Sequence, residues 1–268
     1  MALDLAILSG AGALPPDLAR AYPDALYITF TGINHSLPGR TEDHSFERLG
    51  KLFAVLKERG IRRVVMAGSM YRPALNPENF DAFMRQISPQ LVAALQLGDD
   101  GLLRFVIDLF ESHGFTVCGA HDLLPEMTAK AGILSQVVPQ SKHHEDIEKG
   151  RALLGLLSDA DIGQSTVFEN GLCLGIETLQ GTDALLRFVG QTPSHLRRGQ
   201  GGVLIKTPKS GQDLRVDMPA IGPDTIRAVQ AAGLAGLAID AGRVLLLEPE
   251  QTRALVAQFG LFLIAQEI

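Results

Sequence analysis

Cysteine is nearly absent from this chain: Cys118 and Cys173 are the only two in 268 residues. A disulfide framework or a thiolate-only zinc site needs more, and so low a count fits a reducing compartment. Long apolar runs are missing as well. No stretch approaches the roughly 18 residues that span a bilayer, and Met1-Ala2-Leu3-Asp4 lacks the basic region that opens a signal peptide. Positive charge is in deficit, with 24 Lys+Arg against 30 Asp+Glu and a formal net charge of -6. That balance argues against general nucleic-acid binding. The 28 glycines follow no Gly-X-Y period, which excludes collagen. What is present is a globular composition, 46% hydrophobic and 20% charged, long enough for one large domain or two small ones.

The charge deficit is uneven. Between residues 184 and 216 stand Arg187, Arg197, Arg198, Lys206, Lys209 and Arg215 against Asp213 alone. A basic segment in an acidic protein suits a small anionic ligand, or forms a solvated basic face.

Periodicity divides the chain. Short apolar runs at 5–8, 25–30, 63–67 and 115–118 predict strands. Between them, Phe46, Leu49, Leu52, Phe53 and Leu56 share one face of a helix that Gly60 stops, and 99–113 repeats the pattern. Strands alternating with helices predict a doubly wound, mostly parallel sheet, a Rossmann-like domain over 1–133. The rhythm fails around Pro125, Gly132 and Pro139, and 134–268 reads as a second α/β domain with antiparallel hairpins. There, Asn170-Gly171 between two apolar runs is a type I′ hairpin signal. Thr182-Asp183 predicts a helix cap. Residues 202–207 and 214–217 predict a second strand pair around Pro208-Lys209-Ser210-Gly211.

Several groupings carry chemistry. Ser9-Gly10-Ala11-Gly12-Ala13-Leu14-Pro15 follows a strand and opens a helix, which fits a phosphate cradle or simply a tight βα turn. Pro15 replaces the third glycine of a dinucleotide fingerprint, and Thr29-Phe30-Thr31-Gly32 offers no acidic ribose contact, which disfavours a nucleotide-dependent oxidoreductase. Ser69-Met70-Tyr71-Arg72 follows the third strand, where Arg72 is either a phosphate clamp or a surface arginine. In the second half, Glu177 ends a hairpin strand, and Thr182 and Asp183 begin a helix. Lys206 and Lys209 lead into Gln212-Asp213-Leu214-Arg215-Val216-Asp217. In a strand, Asp213, Arg215 and Asp217 would share one face. Such a face is either an exposed ion-pair ladder or a site for Mg²⁺ or another hard divalent cation on a phosphate, with Glu177 and Asp183 as further ligands. His143-His144-Glu145 reads as a helix start rather than a zinc site. Residues 80–97 form an apolar segment suited to a core helix interrupted by Pro89, to acyl chains or to a membrane surface.

Taken together, the glycine turn at 9–15, Met66-Ala67-Gly68 with Arg72-Pro73, Gly119-Ala120-His121, Asp161-Ile162-Gly163-Gln164, Glu177 with Gly181-Thr182-Asp183-Ala184, and 206–222 resemble the LpxI-type UDP-2,3-diacylglucosamine pyrophosphatase family over essentially the whole chain. The resemblance implies a two-domain hydrolase of lipid A biosynthesis. It would use Mg²⁺ to split UDP-2,3-diacylglucosamine into 2,3-diacylglucosamine 1-phosphate and UMP. It also implies work at the cytoplasmic face of the inner membrane, as a peripheral protein and a possible homodimer, with no nucleic-acid partner. The family's essential aspartate falls on Asp213 or Asp217. The candidate catalytic residues are therefore Asp213, Asp217 and Lys206, with Asp183 and Glu177 added as metal ligands. Gly10, Ala11, Gly12, Ser69, Arg72, Gln164, Thr182, Lys209, Gln212 and Arg215 are the candidate substrate contacts. A non-catalytic nucleotide-sugar binding protein is the alternative, and it would bind without releasing UMP.

Overall fold

The structure, a computed structural model, describes residues 4–71, 73–197 and 201–267. It divides into two units. One is Met1–Pro125 with Arg215–Asp217, and the other is Glu126–Leu214 with Met218–Ile268. Among the described residues, no helix is long and apolar enough to cross a membrane.

The N-terminal unit is built on β1 (Leu5–Ser9), β2 (Leu26–Phe30), β3 (Glu42–His44), β4 (Arg63–Ala67) and β5 (Thr116–Cys118), in the order β3-β2-β1-β4-β5. Every pairing is parallel. All five residues of β1 are buried, the signature of a strand covered on both faces. The helices are α1 (Leu14–Ala21), α2 (Leu49–Glu58), α3 (Ala82–Gln96), α4 (Gly98–Ser112) and the short α5 (Ala120–Leu123). On α2, Leu52, Phe53 and Leu56 are buried, as their spacing requires. Pro89 lies inside α3 without ending it. The strand order reverses between β1 and β4, the place where open α/β sheets form a crevice.

The C-terminal unit has β6 (Gly132–Ile133), α6 (Ser141–Ser158), β7 (Ser165–Glu169), β8 (Leu172–Ile176), α7 (Gly181–Gly190), β9 (Gly202–Lys206), β10 (Ala220–Ile221), α8 (Pro223–Ala231), β11 (Leu234–Asp240), β12 (Leu245–Leu246), α9 (Pro249–Gln258) and β13 (Phe262–Gln266). Its main sheet runs β6-β13-β11-β9-β7-β8. The centre, β13-β11-β9, is parallel. The β7–β8 hairpin on one edge and β6 on the other are antiparallel. The hairpin turns at Asn170 (φ 48) and Gly171 (φ 80), as a type I′ turn demands. Because β6 pairs with β13, the chain has already entered the second unit after Pro125, earlier than the 133/134 division read from the sequence.

Strand alternation separates the two cores of this unit. Val203, Ile205, Ala238, Phe262 and Ile264 pack with Ile147 and Leu154 of α6. Leu204, Leu237, Ile239, Leu263 and Ala265 pack with residues of α7, α8 and α9. Helices on both faces of a largely parallel sheet make three layers.

One strand expectation is corrected. Residues 214–217 are not a strand and do not pair with 202–206. Leu214, Arg215 and Val216 form a turn, and β9 pairs instead with β11 and β7. Val216 packs against the N-terminal core, so the segment's position is set by that contact and not by a ladder.

Candidate functional site

The polar groups of the C-terminal unit gather where β9 ends. Lys206 is the last residue of β9, and by alternation it shares the face of Leu204, toward α7. Its Nζ donates to Thr182 Oγ1 at 2.7 Å. Thr182 Oγ1 donates in turn to Glu177 Oε2 at 3.0 Å and lies 3.3 Å from Ser165 Oγ. Lys206 is only 6% exposed and Glu177 8%. A buried ammonium is costly unless it is bonded and its charge balanced. Here one hydroxyl links it to a carboxylate, which supplies both. Ser165 stands directly opposite Lys206 in the β7–β9 register, so sheet pairing delivers the second hydroxyl.

Thr182 is not the helix cap its sequence suggested. Gln180 is the N-cap residue, and α7 has no side-chain cap hydrogen bond. The hydroxyl is committed to Lys206 and Glu177 instead. The positive end of the α7 dipole lies at the same residues, and an ammonium beside a helix N-terminus suits phosphate oxygens. Gly163 (φ +57) seals the other side, since a Cβ there would lie 2.1 Å from the Glu177 carbonyl oxygen.

The loop after β9 is laced to residues 158–164. Thr207 N donates to Gln164 O at 3.0 Å, and Gln212 Nε2 reaches Gln164 Oε1 at 3.5 Å. Lys209 N donates to Gln212 Oε1 at 2.9 Å, and Lys209 Nζ pairs with Asp161. Gln164, Lys209 and Gln212 therefore hold this loop's shape. Asp213 follows Gln212, half-buried. Arg215 and Asp217 belong with the N-terminal unit, where Arg215 Nη1 lies 2.7 Å from Glu111 Oε1. The shared strand face expected for Asp213, Arg215 and Asp217 does not form, because the backbone turns between them.

Asp183 is exposed on the first turn of α7. Among the described residues, no three His, Cys, Asp or Glu side chains are gathered to hold a metal ion. Glu177, Asp183, Asp213 and Asp217 thus do not form a single ligand set in this conformation. Mg²⁺ asks less of a protein, commonly one or two carboxylates with the rest from water and substrate phosphates.

The N-terminal residues form their own cluster at the β1/β4 reversal. Gly10 N donates to Ala67 O at 2.8 Å, Ala11 N to Ser69 O at 3.0 Å, and Ser69 N returns to Ala11 O at 2.8 Å. Gly12 N donates to Ser36 Oγ at 2.9 Å. A Cβ on Gly10 would fall 2.1 Å from Ser69 O. The glycine is therefore required by two loops meeting backbone to backbone, and the amides of Gly10, Ala11, Gly12 and Ser69 bond within the unit. Arg72 lies outside the described residues.

Sequence reasoning missed Ser165 and the Arg151–Asp240 pair, and it noted Asp161 only within the Asp161-Ile162-Gly163-Gln164 motif, not as a site residue. Asp161 carried one signal, a place beside Gly163 in a short loop, and its own φ is +56. Asp240 ends β11 on the α6 face, 2% exposed, with Arg151 Nη1 2.7 Å from its Oδ1. Burial raises the Asp240 pKa above the ordinary carboxylate value, and Arg151 and Arg243 oppose that shift without cancelling it. His143 is buried and stacked on Phe262 with ring centroids 5.0 Å apart, and its Nδ1 accepts from Gln140 N at 3.1 Å. It is a helix-start residue, as its sequence suggested.

Comparison with known proteins gives the same division. The LpxI N-terminal domain model matches residues 4–127, and the LpxI C-terminal domain model matches 130–264. The chain is also 38% identical over 271 residues to a protein of Caulobacter vibrioides named UDP-2,3-diacylglucosamine pyrophosphatase LpxI, covering 97% of this chain and 96% of that one. With both domains matched and a relative aligned along nearly its whole length, this chain belongs to the LpxI family.

Proposed function

We propose that this protein hydrolyses the pyrophosphate bond of UDP-2,3-diacylglucosamine. Water adds across the P–O–P linkage to give UMP and 2,3-diacylglucosamine 1-phosphate. The likeness to the Caulobacter pyrophosphatase supports the substrate. The observation that carries the reading is the buried Lys206–Thr182–Glu177 chain at the start of α7. Pyrophosphate cleavage builds charge on phosphate oxygens, and a fixed ammonium beside a helix N-terminus is already oriented to receive it. Thr182 holds the Lys206 ammonium, and Glu177 balances its charge. Asp213 is the carboxylate that orients the attacking water, with Asp217 as the other candidate for that role. A hard divalent cation, held by Asp213 or Asp217 and the substrate phosphates, would supply further charge neutralisation. Gln164, Lys209 and Gln212 keep the loop in place. Gly10, Ala11, Gly12, Ser69, Arg72 and Arg215 are proposed substrate contacts. Exposed Val92, Leu95 and Leu97 favour peripheral contact with the cytoplasmic face of the inner membrane.

The test is UMP release by the purified protein. Turnover should stop on chelation with EDTA and return with Mg²⁺. Asp213→Ala should lower kcat by about 10²-fold or more while the protein still binds the lipid substrate. Equal loss in Asp217→Ala alone would move the role to Asp217. Turnover that survives chelation would remove the cation from the reading, and binding without any turnover would leave a nucleotide-sugar binding protein.

A further inference from the structure

Ser165 meets every member of the Lys206–Thr182–Glu177 chain. Its carbonyl oxygen accepts from Glu177 N at 2.8 Å. Its backbone stands opposite Lys206 in the β7–β9 register, and its hydroxyl lies 3.3 Å from Thr182 Oγ1. The first two contacts belong to the backbone and do not depend on the side chain. Only the third needs a hydroxyl. The neighbouring pair on the same face is Val167 opposite Leu204, both in the apolar core against α7. Alanine at 165 would continue that row at nearly the same size. The hydroxyl is instead carried by a residue that is 0% exposed, where it costs stability unless it is bonded.

The protons of this cluster can be assigned by counting. Lys206 has only donors to offer and gives one to Thr182 Oγ1 at 2.7 Å. Thr182 has a single hydroxyl proton, and Glu177 Oε2 accepts it at 3.0 Å. A hydroxyl oxygen has two lone pairs. One accepts from Lys206, so the other is left for Ser165, which must be the donor in the contact between the two hydroxyls. At 3.3 Å that bond is long for such a pair, so its effect is one of direction more than of strength. With it, Thr182 Oγ1 donates once and accepts twice, and its orientation is set from three sides. We propose that Ser165 is a positioning residue: its hydroxyl fixes the Thr182 oxygen on which the Lys206 ammonium is held for phosphate chemistry. The inference rests on the hydrolase reading for the reaction that is served.

The experiment removes the hydroxyl alone. Ser165→Ala and Thr182→Val are made singly and together, and UMP release is measured, with the melting transition of each variant as the check of folding. One neutral hydrogen bond is worth about three- to tenfold, so Ser165→Ala should lower kcat by that factor and leave KM within about twofold of wild type. Because Ser165 acts through Thr182, the double variant should lose no more than Thr182→Val alone. Losses that multiply in the double variant, a raised KM at unchanged kcat, or a Ser165→Ala kcat within about twofold of wild type would each overturn the proposal. A second readout needs no turnover. In protein labelled at the threonine methyl groups, the Thr182 signal is the one missing from Thr182→Val. Its three-bond couplings report the side-chain torsion and should move toward rotamer-averaged values in Ser165→Ala. UMP release by the wild type with unmoved couplings in Ser165→Ala would overturn the role of Ser165 alone. Averaged couplings in Ser165→Ala, where the wild type releases no UMP, would overturn the hydrolase reading and leave Ser165 as the residue that holds Thr182.

Discussion

The two ends of the C-terminal sheet use buried charge in opposite ways. At the hairpin end, Arg197 donates through Nε and Nη2 to Glu169 Oε2, at 3.0 and 2.5 Å, and also reaches the carbonyl oxygens of Ala232 and Gly233. Asp146 accepts from the backbone amides of Asn170 and Gly171 at 2.8 and 2.6 Å. The donors to Asp146 close the hairpin turn, and Arg197 ties the end of β7 to the chain just after α8. At the other end, Lys206 donates to the Thr182 hydroxyl and that hydroxyl donates to Glu177, beside the start of α7. The first arrangement spends its charges on the fold. The second links a buried cation and a buried carboxylate through a hydroxyl at the start of a helix. Buried charge alone therefore does not mark a site. What distinguishes the two ends is the setting of the charges, a hairpin turn and backbone carbonyls at one and two hydroxyls at a helix N-terminus at the other.

That contrast can be broken most forcefully at the hairpin end. Arg197→Met leaves Glu169 as an unmatched buried carboxylate, a loss of about 3–5 kcal/mol. Thermal or urea denaturation should report it, while turnover per folded molecule should stay near the wild-type value. A variant of normal stability that had lost turnover would reverse the roles assigned to the two ends. A smaller effect is expected from Thr182→Val. The isosteric change deletes the hydroxyl between Lys206 and Glu177, costs about 1–2 kcal/mol of stability, and should lower kcat roughly tenfold. Steady-state kinetics that show only a KM change would make Thr182 a binding group.

The smallest effect sharpens the comparison across the two faces of the sheet. Asp240, on the α6 face, has a raised pKa in the folded state, so the folded protein holds this proton more tightly than the unfolded chain does. Its ionisation therefore costs stability as pH rises from the ordinary value of 3.8 through the raised value. Above that window the full cost is present, and below 3.8 it is gone. Asp240→Asn should flatten this component of a melting-temperature profile measured against pH. A difference profile of the opposite slope would mean that Arg151 holds Asp240 as a stabilising carboxylate.

Much of this was legible locally. Asn170-Gly171 specifies its turn because both residues tolerate positive φ. The strands of the main C-terminal sheet were readable because apolar residues on both faces bring them into a covered sheet. Residues 214–217 misled because alternating charge over a few residues imitates a strand, while the deciding contact, Val216 against the N-terminal core, comes from far along the chain. Thr182 sits where a cap belongs, yet Lys206 captures its hydroxyl across 24 residues of sequence. Ser165 gave no local signal, since its place in the cluster follows from register opposite Lys206. The Gly10–Gly12 turn was recognisable as a strand-to-helix turn, but only the meeting with Ser69 shows where its amides go.

The most direct measurement is UMP release from UDP-2,3-diacylglucosamine by Lys206→Met, alongside its melting temperature. Met fills much of the same volume without the charge. If phosphate chemistry occurs at this end of the sheet, kcat/KM falls by about 10²-fold or more in a protein whose melting transition shows that it is still folded. Turnover within about threefold of wild type, in a folded protein, would contradict the account.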